Sequence, residues 1–296
     1  MIKTVGFVGL GNMGAPMSRS LAKSGFKVVA FDISEGCRAA LNGDAGIRTT
    51  ADLAEACSTD ALIFMLPNGN IVRDVLIGSG NACSHIPKNG LVIDMSSSDP
   101  AVYKELAPEL AINGIDIVDA PVSGNVDGAA AGALTIMAGG EAPALDRAAP
   151  LLDAMGKKTF HTGPLGSGQM MKALNNLLSA GGLIMTIEVL LIATKAGLDP
   201  SLVNSILNVS TGRNNSTDRK IEAFVLSGAY NSGFGLSHMA KDLRTAASVA
   251  NRIDADMPLG KHAIEIANAA NDTLEQGADH TEIARWLEEK TGLRLH

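Results

Sequence analysis

Apolar residues in the first half of the chain come in short blocks separated by turn residues. Residues 3–8, 26–31, 61–66, 91–95, 115–120 and 134–138 are such blocks, each the length of a buried strand. They run into Gly-, Pro- or Ser-rich segments, as at Pro67-Asn68-Gly69, Ser96-Ser97-Ser98 and Pro121-Val122-Ser123-Gly124. Helical spacing fills several of the intervals, at 15–23, 101–113 and 142–155. Strands that are apolar throughout and alternate with helices predict a parallel sheet covered on both faces. In such sheets ligands bind beyond the carboxyl ends of the strands.

After residue 163 the period changes. Helical patterns occupy 168–196, 200–208, 217–226, 236–251, 258–276 and 280–291, with no strand pattern among them. Breaks fall at Gly197-Leu198-Asp199-Pro200, Ser210-Thr211-Gly212-Arg213, Ser227-Gly228-Ala229-Tyr230 and Met257-Pro258. The predicted fold is α/β: a doubly wound, mostly parallel sheet over residues 1–163, then an all-α domain over 164–296. A long interdomain helix starting near Ser167 opens the second domain, and a cleft between the two is expected. The run 177–195 is long and apolar, but it contains Glu188 and two glycines and follows Asn175-Asn176. A buried core helix is expected there rather than a membrane span.

The loop after the first strand narrows the chemistry. Gly9-Leu10-Gly11-Asn12-Met13-Gly14 is a G-x-G-x-x-G segment between a strand and a helix. This is the setting of a Rossmann-type dinucleotide site. The first Gly allows the tight turn, the second lets backbone approach the pyrophosphate, and the third lets helix and strand pack closely. The helix N-terminus adds free N–H groups and a positive dipole end. Asp32, at the end of the second strand, has the spacing of the carboxylate that binds the adenosine ribose. That carboxylate would repel a 2′-phosphate, and Ile33-Ser34-Glu35 supplies no cation, so NAD is expected over NADP. The alternative reading of Asp32 is a cap for the next turn.

Composition sets the remaining bounds. The chain has 296 residues, 46% of them hydrophobic and 19% charged, which is globular rather than disordered. Its net charge of −7 argues against nucleic acid or an anionic membrane as a main partner. Cys37, Cys57 and Cys83 are scattered, with no C-x-x-C or Cys/His cluster, so neither a disulfide framework nor a metal site is expected. The N-terminus lacks the uninterrupted apolar stretch of a signal peptide, so a cytoplasmic protein is expected.

One helix carries a candidate for acid/base work. Lys172 lies early in the apolar helix, with Asn175 and Asn176 at i+3 and i+4 and Ser179 at i+7. A lysine with amide and hydroxyl neighbours suits proton exchange with a hydroxyl group, because burial readily lowers its pKa. The plainer alternative is a solvated lysine in the first turns of a helix.

Four segments, in order, carry a resemblance that covers essentially the whole chain. They are Phe7-Val8-Gly9-Leu10-Gly11-Asn12-Met13-Gly14 with Pro16-Met17; Asp119-Ala120-Pro121-Val122-Ser123-Gly124; Gly166-x-Gly168-x-x-x-Lys172-x-x-Asn175-Asn176; and Lys241-Asp242-Leu243. The chain resembles the β-hydroxyacid dehydrogenase family, which includes 3-hydroxyisobutyrate dehydrogenase, tartronate semialdehyde reductase, L-threonate dehydrogenase and sulfolactaldehyde reductase. The resemblance implies hydride transfer between NAD and the β-carbon of a small 3-hydroxy acid, or reduction of the matching semialdehyde.

It also implies residue roles. Lys172 would be the acid/base, Ser123 and Gly124 would hold the substrate carboxylate, and Asn175 would bind substrate and help position Lys172. Leu66 and Pro67 would line the cofactor, Ser97 would stand near the nicotinamide ribose, and Lys241 would close over nicotinamide and substrate. The alternative for Lys241 is a surface lysine on an amphipathic helix. Relatives commonly show Ser-Gly-Gly where this chain has Ser123-Gly124-Asn125. An amide there would add a substrate hydrogen bond or crowd the site, and it suits a more polar hydroxy acid. Ser179 and Arg213 are further candidates for substrate contact, Arg213 with a solvent-facing loop arginine as its alternative.

Relatives are dimers or tetramers, so a homo-oligomer is expected. Imine reduction on the same architecture would not need Lys172, and its presence counts against that activity. A nucleotide sensor without catalysis is disfavoured by the same residue and by Asn175.

Overall fold

The computed structural model describes residues 2–295, which form two compact units, the first ending at Lys172 and the second beginning at Ala173. The first unit holds the sheet. Its strands are β1 (Thr4–Val8), β2 (Lys27–Phe31), β3 (Ile47–Thr50), β4 (Ala61–Phe64), β5 (Leu91–Asp94), β6 (Asp116–Asp119), β7 (Val122–Ser123), β8 (Leu134–Gly139) and β9 (Gly156–Gly163). They lie in the order β3-β2-β1-β4-β5-β6-β8-β7, with β9 also pairing β8. Pairing is parallel from β3 to β6 and between β8 and β9, and antiparallel where β8 meets β6 and β7.

The central strands are apolar throughout because both faces are buried. Val5 and Phe7 of β1, Ala61 and Ile63 of β4, and Leu91 and Ile93 of β5 enter one core. Val8, Leu62, Phe64 and Val92, one residue out of phase, enter a second core. Successive side chains of a strand point to opposite faces, so two cores on one set of strands mean a sheet sandwiched by helices. Helices α1 (Gly14–Lys23), α6 (Val126–Ala130) and α7 (Ala142–Met155) supply Met17, Leu21, Ala129, Leu151 and Leu152 to the first core. Helices α4 (Gly69–Ile77) and α5 (Tyr103–Ile112) supply Val72, Leu76, Leu106 and Leu110 to the second.

The second unit is helical apart from one isolated bridge between Gly235 and Asp279. Helix α8 (Ser167–Lys195) continues into it and buries Ala180, Leu183, Ile184, Ile187, Leu190 and Leu191, an unbroken stripe at helical spacing. Helices α9 (Pro200–Asn208), α10 (Asn215–Arg219), α11 (Leu236–Arg252), α12 (Pro258–Thr273) and α13 (Ile283–Thr291) follow. Leu243, Ala267, Ile283 and Trp286 pack in the same core. By length and composition α8 could cross a bilayer, but its stripe serves this core instead. The 217–226 pattern is not one helix: α10 ends at Arg219, and Ile221–Leu226 winds as a π-helix.

The two units part within α8, after Lys172. The first turn of α8 is bonded to strand β6, so it belongs with the sheet.

Candidate active site

Two glycines of the first loop are demanded by the protein itself. Gly9 has φ of 97°, and a Cβ there would lie 2.3 Å from the Met65 carbonyl oxygen. A Cβ on Gly14 would lie 1.8 Å from the Gly9 carbonyl oxygen. Gly11 differs, because a Cβ there would meet no protein atom within 4 Å. Its bare backbone faces open space, beside exposed Asn12 and half-buried Met13. Helix α1 begins at Gly14 with no side chain capping it at Met13. An uncapped helix N-terminus beside an open glycine backbone fits a dinucleotide pyrophosphate.

Both carboxylate oxygens of Asp32 accept backbone N–H groups, one of them in the turn-capping role its position allowed. Its Oδ2 accepts the Leu10 N–H at 2.7 Å, and its Oδ1 accepts the Ser34 N–H at 2.8 Å. It therefore braces the glycine loop while remaining half-exposed. A cation stands three residues beyond Glu35: Arg38 Nη1 donates to the carbonyl oxygens of Asp32 and Ile33 at 2.6 and 3.1 Å.

Further candidates stand at neighbouring strand ends. Val8 is in register with Phe64, Phe64 with Asp94, and Asp94 with Asp119. The loops after β1, β4, β5 and β6 therefore open side by side at the carboxyl edge. Leu66 donates its N–H to Ser96 Oγ at 2.9 Å, tying the Leu66-Pro67 turn to the Ser96–Ser98 turn that holds Ser97. Ser123 pairs with Thr135 in the β7–β8 ladder, and Gly124, with φ of 144°, leaves room for Leu134. Asn125 has a structural duty: its Oδ1 caps α6 through the Gly128 N–H at 2.9 Å. Its Nδ2 also reaches Asp127 Oδ2 at 3.4 Å.

Beneath these loops lie two fully buried carboxylates. Asp94 accepts from the Ser96 N–H, Ser98 Oγ and Tyr103 Oη at 2.9, 3.1 and 2.7 Å. Asp119 accepts the N–H groups of Gly166 and Gln169 at 2.7 and 2.8 Å, capping the start of α8. Burial raises the pKa of each, and pushes Asp119 up to about 7 against the pull of those two N–H donors. Gly166 turns into the helix with φ of 91°, and a Cβ on Gly168 would lie 2.2 Å from the Met137 carbonyl oxygen. These contacts account for the Gly-x-Gly spacing before Lys172. Gln169, one helical turn before Lys172, bonds the Ser96–Ser98 turn.

The remaining candidates belong to the second unit. Asn175 Nδ2 donates to Asn176 Oδ1 at 3.0 Å, Asn176 Nδ2 donates to Asp242 Oδ2 at 2.5 Å, and Lys241 Nζ lies 3.1 Å from Asp242 Oδ1. Asn175 and Lys241 are thus joined through one polar chain that includes buried Asp242. Ser179 accepts from Lys220 Nζ at 3.2 Å. Lys220 sits at the joint between α10 and the π-helix, and burial lowers its pKa to about 8. Arg213 pairs with Asp218 at 3.3 Å on the surface. Among the described residues, no cluster of three or more His, Cys, Asp or Glu could hold a metal ion.

Sequence reasoning had not singled out Asp94, Tyr103, Gln169 or Lys220. Gln169 stood inside a segment already quoted, whereas Lys220 has no spacing signal at all.

Comparison with known proteins identifies the family. Residues 4–163 match the NAD binding domain of 6-phosphogluconate dehydrogenase. Residues 166–287 match the family described as NAD-binding of NADP-dependent 3-hydroxyisobutyrate dehydrogenase. The chain is 34% identical to 2-(hydroxymethyl)glutarate dehydrogenase of Eubacterium barkeri, over 98% of this chain and 97% of that one. It is 37% identical to the human mitochondrial 3-hydroxyisobutyrate dehydrogenase, over 88% and 80% respectively. The structure of a Mycobacterium tuberculosis 3-hydroxyisobutyrate dehydrogenase with L-serine superposes with a TM-score of 0.87 at 30% identity, covering 97% of this chain and 99% of that one. With its NAD-binding domain and helical unit both matched, the chain belongs to the 3-hydroxyisobutyrate dehydrogenase family of hydroxyacid oxidoreductases.

Proposed function

We propose that this enzyme oxidises the β-carbon hydroxyl of a small 3-hydroxy acid with NAD, using Lys172 as acid/base. One observation carries the reading. Lys172 stands one helical turn beyond Gln169, whose side chain bonds both flanks of Ser97, so the proton carrier and the loop expected at the nicotinamide ribose share one framework. Bound NAD supplies the hydride acceptor at C4 of its nicotinamide. Neutral Lys172 accepts the hydroxyl proton as the carbon–oxygen double bond forms, and returns it when a semialdehyde is reduced. The Ser123 hydroxyl and the Gly124 N–H hold the substrate carboxylate. Asn175 binds the substrate and helps to position Lys172, and Leu66 and Pro67 line the cofactor. Lys241, paired with Asp242, is the proposed contact to nicotinamide and substrate.

Asp32 favours NAD over NADP by charge. The partners are a small carboxylate and further copies of this chain, not nucleic acid or membrane. Leu178 and Ile192, 79% and 67% exposed on α8, suit a homodimer or homotetramer. Three free cysteines suit the cytoplasm.

The test is Lys172→Ala in a panel of small 3-hydroxy acids with NAD and NADP in parallel. Loss of general acid/base catalysis predicts a fall in kcat of roughly 10²–10⁴-fold with NADH binding retained. Near-full turnover would sink the mechanism, and a preference for NADP would overturn the role of Asp32.

A further inference from the structure

We infer that Gln169 is a positioning residue for this reaction: its side-chain amide locks the loop holding Ser97 to the helical turn that leads to Lys172. The inference rests on the proposed role of Lys172. Gln169 is 1% exposed, and its amide makes three hydrogen bonds. Its Oε1 accepts the Ser98 N–H at 2.9 Å. Its Nε2 donates to the Ser96 carbonyl oxygen at 2.8 Å and to Tyr103 Oη at 3.2 Å. One planar group thus grips the backbone on both sides of Ser97. The grip extends in two directions. Tyr103 Oη passes a hydrogen bond to Asp94 at 2.7 Å, and Ser96 Oγ accepts the Leu66 N–H at 2.9 Å. The main chain of Gln169 is itself fixed, by its N–H to Asp119.

A site that needed only filling would hold Leu or Met. A buried amide is costly unless its bonds are made, and when they are made it admits one arrangement of its partners. Here those partners are the Ser96–Ser98 turn, which carries Ser97 and holds the Leu66 turn through Ser96 Oγ, and the Tyr103 hydroxyl. Hydride transfer is sensitive to such placement, since an error of about 1 Å can cost about 10²-fold. Glutamate cannot substitute when ionised. It would set a carboxylate against the Ser96 carbonyl oxygen, in a pocket that already holds Asp94 and Asp119. When protonated, it offers one donor and one acceptor and can remake part of the clamp.

The experiment uses Gln169→Met, Gln169→Glu and Lys172→Ala in the full-length enzyme, with substrate deuterated at the carbinol carbon. Gln169→Met is expected to lower kcat by roughly 10–100-fold, to change KM for the hydroxy acid little, and to enlarge the isotope effect on kcat. Lost folding alone would lower the active fraction but leave the isotope effect unchanged, and activities are compared per folded molecule, with the folded fraction measured by circular dichroism at each pH. The activity of Gln169→Glu, relative to the parent enzyme, is expected to rise as pH falls from about 8 to about 5. This second variant decides the matter if Gln169→Met does not fold. Parental kcat and isotope effect in Gln169→Met, or a pH-independent ratio for Gln169→Glu, would overturn the positioning role. If Lys172→Ala is inactive while Gln169→Met matches the parent, only this inference falls. If Lys172→Ala is fully active, the acid/base reading falls first.

Discussion

The carboxylate of Asp119 accepts the backbone N–H of Gln169 at 2.8 Å, so strand β6 caps helix α8 from a distance of fifty residues in sequence. The bond joins two segments that look unrelated along the chain. Asp119 opens the segment that ends in Ser123-Gly124, and Gln169 lies within the segment that ends in Lys172 and Asn175. A side-chain oxygen at a helix N-terminus meets donors that have no intrahelical partner, and its charge is favoured by the dipole. One carboxylate therefore ties the strand that leads into the proposed substrate loop to the helix that carries the proposed proton carrier.

That carboxylate should make stability depend on pH. Burial pushes Asp119 up to about 7, above an unfolded value of about 4. The stability tied to it is complete below about pH 4 and is lost as pH rises through about 7. Asp94 is raised in the same direction and adds to the slope. Asp119→Asn removes the titration but turns an NH2 toward one of the two N–H donors, at a cost of about 1–3 kcal/mol. Urea unfolding should find the variant less stable at about pH 5, with the gap narrowing by about pH 8. A gap that does not change with pH would count against this assignment.

Much of this framework was legible in the chain. Strands β1, β4 and β5 are apolar blocks because they are buried on both faces, and β2, β6 and β8 carry Val28, Ala30, Val118, Leu134 and Ile136 into the first core. Strands β3 and β9 were not legible. Ile47–Thr50 and Gly156–Gly163 lie at sheet edges, where polar residues and lysines protect the unpaired side and erase the apolar signal. The glycine loop was readable because its constraint is local. The Gln169 clamp and the Lys220–Ser179 contact were not, because each joins residues from distant segments and follows no fixed spacing. Asn125 shows the opposite case: an unusual residue at a suggestive place whose carbonyl oxygen caps a helix.

The glycines of the first loop should separate folding from cofactor binding. Gly14→Ala forces a Cβ against the Gly9 carbonyl oxygen, and should cost roughly 1–3 kcal/mol or more in stability. Gly11→Ala meets no protein atom, so its stability should stay within about 0.5 kcal/mol of the parent. Its affinity for NAD should still fall by roughly tenfold, about 1.4 kcal/mol, because a methyl group would occupy the ligand's approach. Calorimetric binding and thermal unfolding on both variants check this. Unchanged NAD affinity in Gly11→Ala would move the pyrophosphate elsewhere.

Cofactor choice should be readable at Asp32. Asp32→Ser removes the charge opposed to a 2′-phosphate and leaves Arg38 beside the same backbone. A like-charge contact costs several kcal/mol, so the ratio of kcat/KM for NADP over NAD should rise by roughly tenfold or more. Use of NAD should weaken as well, because the Leu10 N–H loses its acceptor. Adding Arg38→Ala should erase the gain with NADP, since a guanidinium is the better phosphate partner. Steady-state kinetics with both cofactors measure it, and an unmoved ratio would remove Asp32 from cofactor selection.

Lys220 should be a stability cost at neutral pH. Burial lowers its pKa to about 8, against an unfolded value of about 10.4, and the charge of Asp279 only partly offsets this. A depressed folded pKa means that its contribution is fully present above about pH 10.4 and is lost as pH falls through about 8. At pH 7 the protein therefore carries a desolvated cation bonded to the Ser179 hydroxyl at 3.2 Å. Lys220→Met keeps the aliphatic stem and removes the charge. It should be more stable than the parent at about pH 7, by up to roughly 3 kcal/mol, and the advantage should vanish near pH 10. Denaturant titrations at the two pH values decide this. A variant less stable than the parent at neutral pH would show that the Lys220–Ser179 contact outweighs the cost of burying the charge.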